Sequence, residues 1–339
     1  MASNVSSEYT AFSCTEDSSG TRSIAIGNFD GIHIGHQELI SVLKEDGKVR
    51  GASTLVFTFS PHPRIYFGRL VPEDLLFSRD QKLKHLDLLG VDEVLEQRFN
   101  EEFCQLSAAD FVESVLVKHL KAVSVIVGEN FRFGKDRGGN ASWLQKELLT
   151  RGIACKIFPH KHDKKGGSIS SSAIRSYLKE GSIETANGLL GRPYTVSGEV
   201  KRGNQLGRQL GFPTANIPQP EQLFPGTGVY ICLCRREQDK SPGWQKAVVN
   251  CGRRPSVGSD GRAVVEVHFL NDPEEDLYGK RVEVSFLSKI RNEKKFDSLE
   301  SLKKQISLDV EKTTSYFEKE RHLDSLEQLL KFYGENDVK

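Results

Sequence analysis

The stretch Ile26-Gly27-Asn28-Phe29-Asp30-Gly31-Ile32-His33-Ile34-Gly35-His36 places two histidines around a glycine where a strand-like run gives way to a helical one. Ser23 to Ile26 is short and β-rich, Gly27 and Gly31 permit a tight turn, and Leu39, Ile40 and Leu43 resume at helical spacing. His33 and His36 are therefore predicted at a helix N-terminus. Free backbone N–H groups and the positive end of the helix dipole favour an anion there, and Gly35 lets a phosphate approach the backbone. Three residues apart on a helix, the two imidazoles share a face and reach one ligand. Half of a zinc site has the same spacing, but no third Cys or His follows at ligand spacing.

Outward from this turn, the first half of the chain alternates. Strand-like runs at 23–26, 53–59, 93–96, 123–127 and 155–158 are separated by helical patterns near 36–46, 80–89, 107–120 and 142–151. This is the pattern of βα units and a parallel, Rossmann-like α/β sheet. In such sheets ligands bind beyond the carboxyl ends of the strands, so His33, His62 and the loop Gly128–Gly134 are expected to converge on one crevice. Two short helical patterns lie between Ser170 and Leu190, and Gly191-Arg192-Pro193 stops them. Strands separated by turns follow at 194–200, 228–234, 247–250, 263–270 and 281–287, which predicts a small antiparallel β-barrel. Residues 298–333 read as C-terminal helices with apolar stripes for packing on the barrel.

A chain of 339 residues is long for one core, so two domains are expected: 23–186 and 187–339, after a disordered tail over 1–22. That tail is rich in Ser and Thr, and its acids Glu8, Glu16 and Asp17 are out of character for an organelle transit peptide. A formal charge of +1 gives no global reason to expect nucleic acid. No apolar run approaches a membrane span, and no secretory signal opens the chain, which makes the cytoplasm the expected compartment. Six scattered cysteines without a CxxC pair fit free thiols in a reducing compartment.

Other segments carry chemistry of their own. Ile169-Ser170-Ser171-Ser172-Ala173-Ile174-Arg175 sets hydroxyls and a guanidinium at a helix start, which reads either as an anion site or as an ordinary Ser cap with a surface Arg. His62, between Pro61 and Pro63, is either aimed at the crevice or a plain turn residue. Lys161, Lys164, Lys165, Gly166 and Gly167 form a basic loop placed for nucleotide capture or merely solvated. Gly198, Gly203 and Gly207 punctuate a basic loop ending at Arg208 that can wrap phosphates with backbone N–H groups. Thr214 and Asn216 offer oxygen ligands of the kind Mg²⁺ accepts beside nucleotide phosphates. Glu266 shares a strand face with His268, opposite Val265, Val267 and Phe269.

Taken in order, these segments resemble the bacterial-type FAD synthetases, which are bifunctional riboflavin kinase/FMN adenylyltransferases of the HxGH nucleotidyltransferase superfamily. The motifs around His33, Thr58–Arg64, Gly128–Gly134 and Ile169–Arg175 are similar to the adenylyltransferase half, and Gly207–Asn216 with Val265–His268 to the kinase half. The resemblance implies that riboflavin is phosphorylated to FMN and that FMN is adenylylated to FAD, with Mg²⁺ and ATP used in both steps. It implies that His33 and His36 stabilise charge on the transferring phosphate and that Glu266 takes the proton from the ribityl hydroxyl. It places Asn28, Asp30, Gly35, Ser170, Ser171, Ser172 and Arg175 near the nucleotide, although Asp30 could equally cap the helix. It places His62, Asn130, Phe131, Phe133 and Arg291 near the flavin, although both phenylalanines could belong to the core. The resembling family usually shows Thr and Arg where Ser172 and Ala173 stand; Ser172 keeps a hydroxyl, and Ala173 lacks a side chain that could touch phosphate or flavin.

Three rivals have separate signatures. An adenylyltransferase with a silent kinase half would not need Thr214, Asn216 and Glu266. A nucleotidyltransferase for another acceptor would leave the barrel half unexplained. A flavin-binding regulator would need no phosphate-transfer groups.

Overall fold

The computed structural model describes residues 9–13, 20–163, 166–203, 206–218, 222–236, 243–253, 263–271 and 277–318. The chain divides into two compact units, one of residues 1–72 with 78–170 and one of residues 73–77 with 171–339.

In the first unit the elements run β1 (Tyr9–Ser13), β2 (Arg22–Ile26), α1 (Ile34–Arg50), β3 (Ser53–Ser60), α2 (Pro63–Tyr66), α3 (Arg79–Leu88), β4 (Glu93–Arg98) and α4 (Glu101–Cys104). They continue with α5 (Ala108–Asp110), which runs on as a π-helix over Phe111–His119, then β5 (Ala122–Gly128), β6 (Arg132–Phe133), β7 (Gly139–Asn140), α6 (Ala141–Leu149) and β8 (Ala154–Phe158). The main sheet has the order β1-β4-β3-β2-β5-β8. All neighbours from β4 to β8 are parallel. Ile24, Ile26, Leu55, Phe57, Val125 and Val127 bury one face of these strands against Phe111, Val115 and Leu116, the apolar burial that stabilises a parallel sheet.

The tail expectation needs correction within this unit. Tyr9–Ser13 is a strand, paired antiparallel with β4 from Tyr9↔Gln97 to Ser13↔Glu93. The run Tyr-Thr-Ala-Phe-Ser is rich in strand-favouring side chains, and it covers the otherwise open edge of β4. The rest of 1–19 lies outside the described residues.

In the second unit, α7 (Ser171–Glu180) and α8 (Ile183–Leu190) precede β9 (Tyr194–Glu199), α9 (Leu206–Leu210), β10 (Ala215–Pro218), β11 (Gly228–Arg236), β12 (Gln245–Arg253), β13 (Ala263–Phe269), β14 (Arg281–Arg291) and α10 (Leu299–Glu318). The six strands form one antiparallel sheet of order β10-β13-β12-β11-β14-β9. The sheet curls until its edges meet at a single bridge, Lys201↔Asn216, and the Lys201 N–H donates to the Asn216 carbonyl at 2.8 Å. Helix α10 packs on it through Phe317, beside Ile231, Leu233, Trp244 and Leu287. The expected helix beyond Glu318 lies outside the described residues.

The compact units divide at Ser170/Ser171, so that α8, which spans the expected boundary at 186/187, groups with the second unit. Asn187 is one reason: its side chain donates to the Phe286 carbonyl and accepts from the Tyr194 N–H, each at 2.8 Å, stitching α8 to β14 and β9. Gly191 ends α8 in the left-handed conformation at φ 71°. The segment Glu73–Phe77, distant in sequence, also packs in this unit: Leu223 N–H donates to the Leu75 carbonyl at 2.7 Å, and Arg192 lies over the Phe77 ring. Among the described residues Cys104, Cys155, Cys232, Cys234 and Cys251 are free thiols, and the last three are buried. Burial pushes all three well above the ordinary thiol range, so they behave as small apolar groups.

Candidate functional site

In the first unit β2 lies between β3 and β5, and the chain continues to β3 on one side and later returns to β5 on the other. Parallel register puts Ile26 beside Phe57 and Val127, and Gly128 beside Phe158. The loops after β2, β3, β5 and β8 therefore leave one edge of the sheet, at the point where strand order reverses. These loops carry His33, His62, Asn130–Phe133 and Lys161.

The turn after β2 is strained. Phe29, Gly31 and Ile32 all take positive φ, at 50°, 80° and 35°, which is costly for a β-branched residue such as Ile32. Both Phe29 and Ile32 are fully buried, and burial of their side chains holds the turn. Gln37 Nε2 donates to the Ile32 carbonyl at 2.9 Å and Thr58 Oγ1 to the Asn28 carbonyl at 3.2 Å. The sequence pattern gave Phe29, Ile32, Gln37 and Thr58 no separate role in this turn. A buried aromatic inside a Gly-rich turn was the available signal.

His33 is the N-cap of α1, with its Nδ1 accepting the His36 N–H at 3.3 Å. That hydrogen bond fixes the tautomer, because a neutral ring accepting at Nδ1 carries its proton on Nε2 and can donate there. The His33 and His36 rings stack 3.7 Å apart at 13°, and Phe29 tilts against His36 at 5.2 Å. The N-cap position belongs to His33, and Asp30 is buried at 4% exposure in the turn before it. A Cβ on Gly35 would lie 3.3 Å from the His33 ring and 3.9 Å from Lys161 Cβ. Glycine here lets the imidazole lie flat on the helix start.

His62 caps α2, its Nδ1 accepting the Arg64 N–H at 3.0 Å. Asn130 is exposed and Phe131 half-buried. Phe133 is buried and packs with Phe111 and Trp143 in the core, with Phe131 stacked on it at 5.1 Å. The serine motif straddles the two units, with Ser170 ending the first and Ser171, Ser172 and Arg175 opening the second. Ser172 is exposed. Arg175 is only 6% exposed, so it is not a surface arginine, and it donates from Nε to the Asp74 carbonyl at 2.8 Å. Lys164 and Lys165 lie outside the described residues.

In the second unit the kinase-like residues assemble by strand register. Asn216 on β10, Glu266 on β13 and Asn250 on β12 are direct partners across three neighbouring strands, so their side chains share a face with Cβ atoms roughly 5 Å apart. Val265, Val267 and Phe269 are buried on the opposite face, leaving Glu266 half-buried. Asn216 Nδ2 reaches the Thr214 carbonyl at 3.5 Å.

The glycine loop supports this cluster by close approach. A Cβ on Gly203 would sit 2.5 Å from the Asn216 amide, one on Gly198 would strike Ile217 Cγ2, and one on Gly207 would strike the Phe212 carbonyl and lie 3.3 Å from Thr214 Oγ1. Asn204, Gln205 and the Arg208 side chain lie outside the described residues. We expect Gly203→Ala to displace the Asn216 amide and lower FMN formation by on the order of 10- to 100-fold, the scale of an ångström-level misplacement. Circular dichroism should show an intact fold, and unchanged FMN formation would sink the idea.

Arg291, at the end of β14, is held by an ion pair. Its Nη2 meets Asp309 Oδ2 at 2.7 Å and its Nε meets the same carboxylate at 3.0 Å. Asp309 is buried and also accepts from Gln305 Nε2 at 3.0 Å. This fork ties β14 to α10. Among the described residues no cluster of three or more His, Cys, Asp or Glu side chains could hold a metal, and no helix is long and apolar enough to cross a membrane.

Comparison with known proteins finds matches along both halves of the chain. An FAD synthetase family model matches residues 15–173 and a riboflavin kinase model matches 190–317. The bifunctional riboflavin kinase/FMN adenylyltransferase of Escherichia coli K12 is 41% identical over 288 residues, covering 84% of this chain and 90% of that protein. Its namesake in Haemophilus influenzae is 38% identical over 295 residues, covering 87% and 94%. A crystal structure described as a macrolide-efflux protein from Streptococcus pneumoniae superposes with a TM-score of 0.77 at 31% identity, covering 87% of this chain and 94% of that one. With an α/β unit bearing stacked histidines at a helix start, a curled antiparallel unit bearing the Asn216–Glu266 row, and matches along both, the chain belongs to the bifunctional riboflavin kinase/FMN adenylyltransferase family.

Proposed function

We propose that this chain makes FMN from riboflavin in its second unit and FAD from FMN in its first, consuming ATP in each step. In the first step the riboflavin 5′-hydroxyl attacks the γ-phosphorus of ATP and ADP leaves. Glu266 accepts the hydroxyl proton as the new P–O bond forms. In the second step the FMN phosphate attacks the α-phosphorus and pyrophosphate leaves, so no enzyme nucleophile is needed. His33 Nε2–H and His36 at the α1 N-terminus donate to phosphate oxygens as charge accumulates.

The donor chemistry of Thr214 and Asn216 suits Mg²⁺, which takes one or two protein oxygens and completes its octahedron with phosphate and water. When bound there the ion would neutralise charge on the ATP phosphates. In this reading Asn28 and Gly35 line the nucleotide phosphates, and His62, Asn130 and Phe131 flank the flavin. The buried free thiols support a reducing, cytoplasmic setting.

The observation that carries two steps rather than adenylyl transfer alone is the cross-strand pairing of Asn216 with Glu266, two residues after Thr214. A silent kinase half would have no use for that row. The test is a flavin chromatogram after incubation of the whole chain with riboflavin and Mg-ATP. FMN should appear first and FAD after it. FAD formed only when FMN is supplied would mean a silent kinase half, and no product from either flavin would mean a binding protein.

A further inference from the structure

We propose that Lys161 is a phosphate-binding lysine of the adenylyltransferase site, parked on Glu38 until the nucleotide arrives. The proposal rests on the reading of His33 and His36 as that site. Lys161 follows β8 and so leaves the same sheet edge as the loops after β2, β3 and β5. Its carbonyl accepts the Ile169 N–H at 3.0 Å, His162 and Ser168 form an antiparallel bridge, and Asp163 Oδ1 accepts the Gly167 N–H at 2.7 Å. The segment therefore folds back on itself, with Lys161 at its base, opposite buried Ile169.

The base of this segment rests on the histidine turn. Lys161 Cβ lies 3.9 Å from where a Cβ on Gly35 would stand, and that same position is 3.3 Å from the His33 ring. From there the side chain runs to Glu38, one turn into α1, with Nζ 2.8 Å from Oε1 and 5.6 Å from the Phe158 ring. The Lys161 and Glu38 side chains are 37% and 51% exposed. A pair this exposed contributes little to stability, because water screens it and two long side chains are ordered to make it.

A polyphosphate at the start of α1 offers the same ammonium several charges within reach of its flexible four-carbon stem. Glu38 then loses only a weak partner and remains solvated. The pair thus keeps the cation close to the helix start and releases it at low cost.

The test is the KM for ATP in FAD formation from supplied FMN, measured on the whole chain. Lys161→Met keeps the apolar stem over Gly35 and removes the charge. It should raise the KM roughly 10- to 100-fold, the scale of one lost charge-assisted hydrogen bond, with kcat close to wild type. Lys161→Arg should recover most of the loss. Glu38→Gln should leave the KM at or below wild type, since it removes the competitor for the ammonium. Two results would overturn the proposal: a wild-type KM for Lys161→Met, or a rise in Glu38→Gln equal to that of Lys161→Met, which would make the pair a structural strut. His33→Ala in the same assay separates the two levels. If it loses FAD formation while Lys161→Met is unaffected, only the lysine's role fails; if His33→Ala is also unaffected, the phosphate site itself is wrong.

Discussion

His33→Ala and His36→Ala are each expected to lower FAD formation from FMN by ~100- to 1000-fold while FMN formation from riboflavin stays near wild type. The two changes act differently. Removing the His33 ring deletes both the Nε2–H donor and the cap that satisfies the His36 N–H, and a lost cap costs about 1 kcal/mol of local stability. Removing the His36 ring deletes the stacking partner 3.7 Å away and leaves the cap in place. His33→Asn distinguishes capping from catalysis, since asparagine is a good N-cap without an imidazole. It should restore melting temperature and not FAD formation. Recovery of activity in His33→Asn, or normal FAD formation in either alanine variant, would show that the imidazoles do not stabilise the transferring phosphate. Kinase activity is the internal control, because His33 and His36 belong to the first unit and the Asn216–Glu266 row to the second.

The parts of this architecture legible in the sequence are those where one local rule acts without competition. The apolar runs of β2, β3 and β5 read as buried parallel strands because both of their faces are covered, and they, with β4 and β8, lie within a few residues of their predicted spans. The alternation of β13 put Glu266 opposite Val265 and Val267, and the burial of those valines agrees. What escaped depends on residues far apart in the chain. Ala215–Pro218 carries too short a pattern to announce a strand, and β10 exists because β13 offers it a partner from Ala215↔Val267 to Pro218↔Val264. Tyr9–Ser13 is a strand for the same reason, through β4.

The division at Ser170/Ser171 was hidden because Gly191-Arg192-Pro193 is the stronger local break. Nothing near α8 in sequence reports that Asn187 bonds to β14, or that Glu73–Phe77 packs under Leu223. At the histidine site the residue types were readable and the geometry was not. Strain at Phe29 and Ile32 shows only as positive φ. At Arg291 the motif position was readable, and its anionic partner Asp309, eighteen residues on, was not.

The change with the largest expected effect on the kinase step is Glu266→Gln. The amide keeps the size and hydrogen-bonding capacity of the carboxylate and cannot accept the ribityl proton, so FMN formation should fall ~100- to 10,000-fold. Strand geometry argues that the loss is chemical and not structural. Glu266 is half-buried on the face opposite the core valines, and it is flanked by polar Asn216 and Asn250, so an amide there creates no cavity and buries no unpaired charge. Melting temperature and riboflavin affinity should therefore stay close to wild type, and FAD formation from supplied FMN should be unchanged. Glu300→Gln, an exposed position in the first turn of α10, serves as the control for the substitution itself. Kinase rates in Glu266→Gln no lower than in Glu300→Gln would reduce Glu266 to an ordinary strand residue. The row Asn216–Glu266–Asn250 would then be a binding surface without its base, and the second unit would stand as a flavin- or nucleotide-binding module beside an adenylyltransferase.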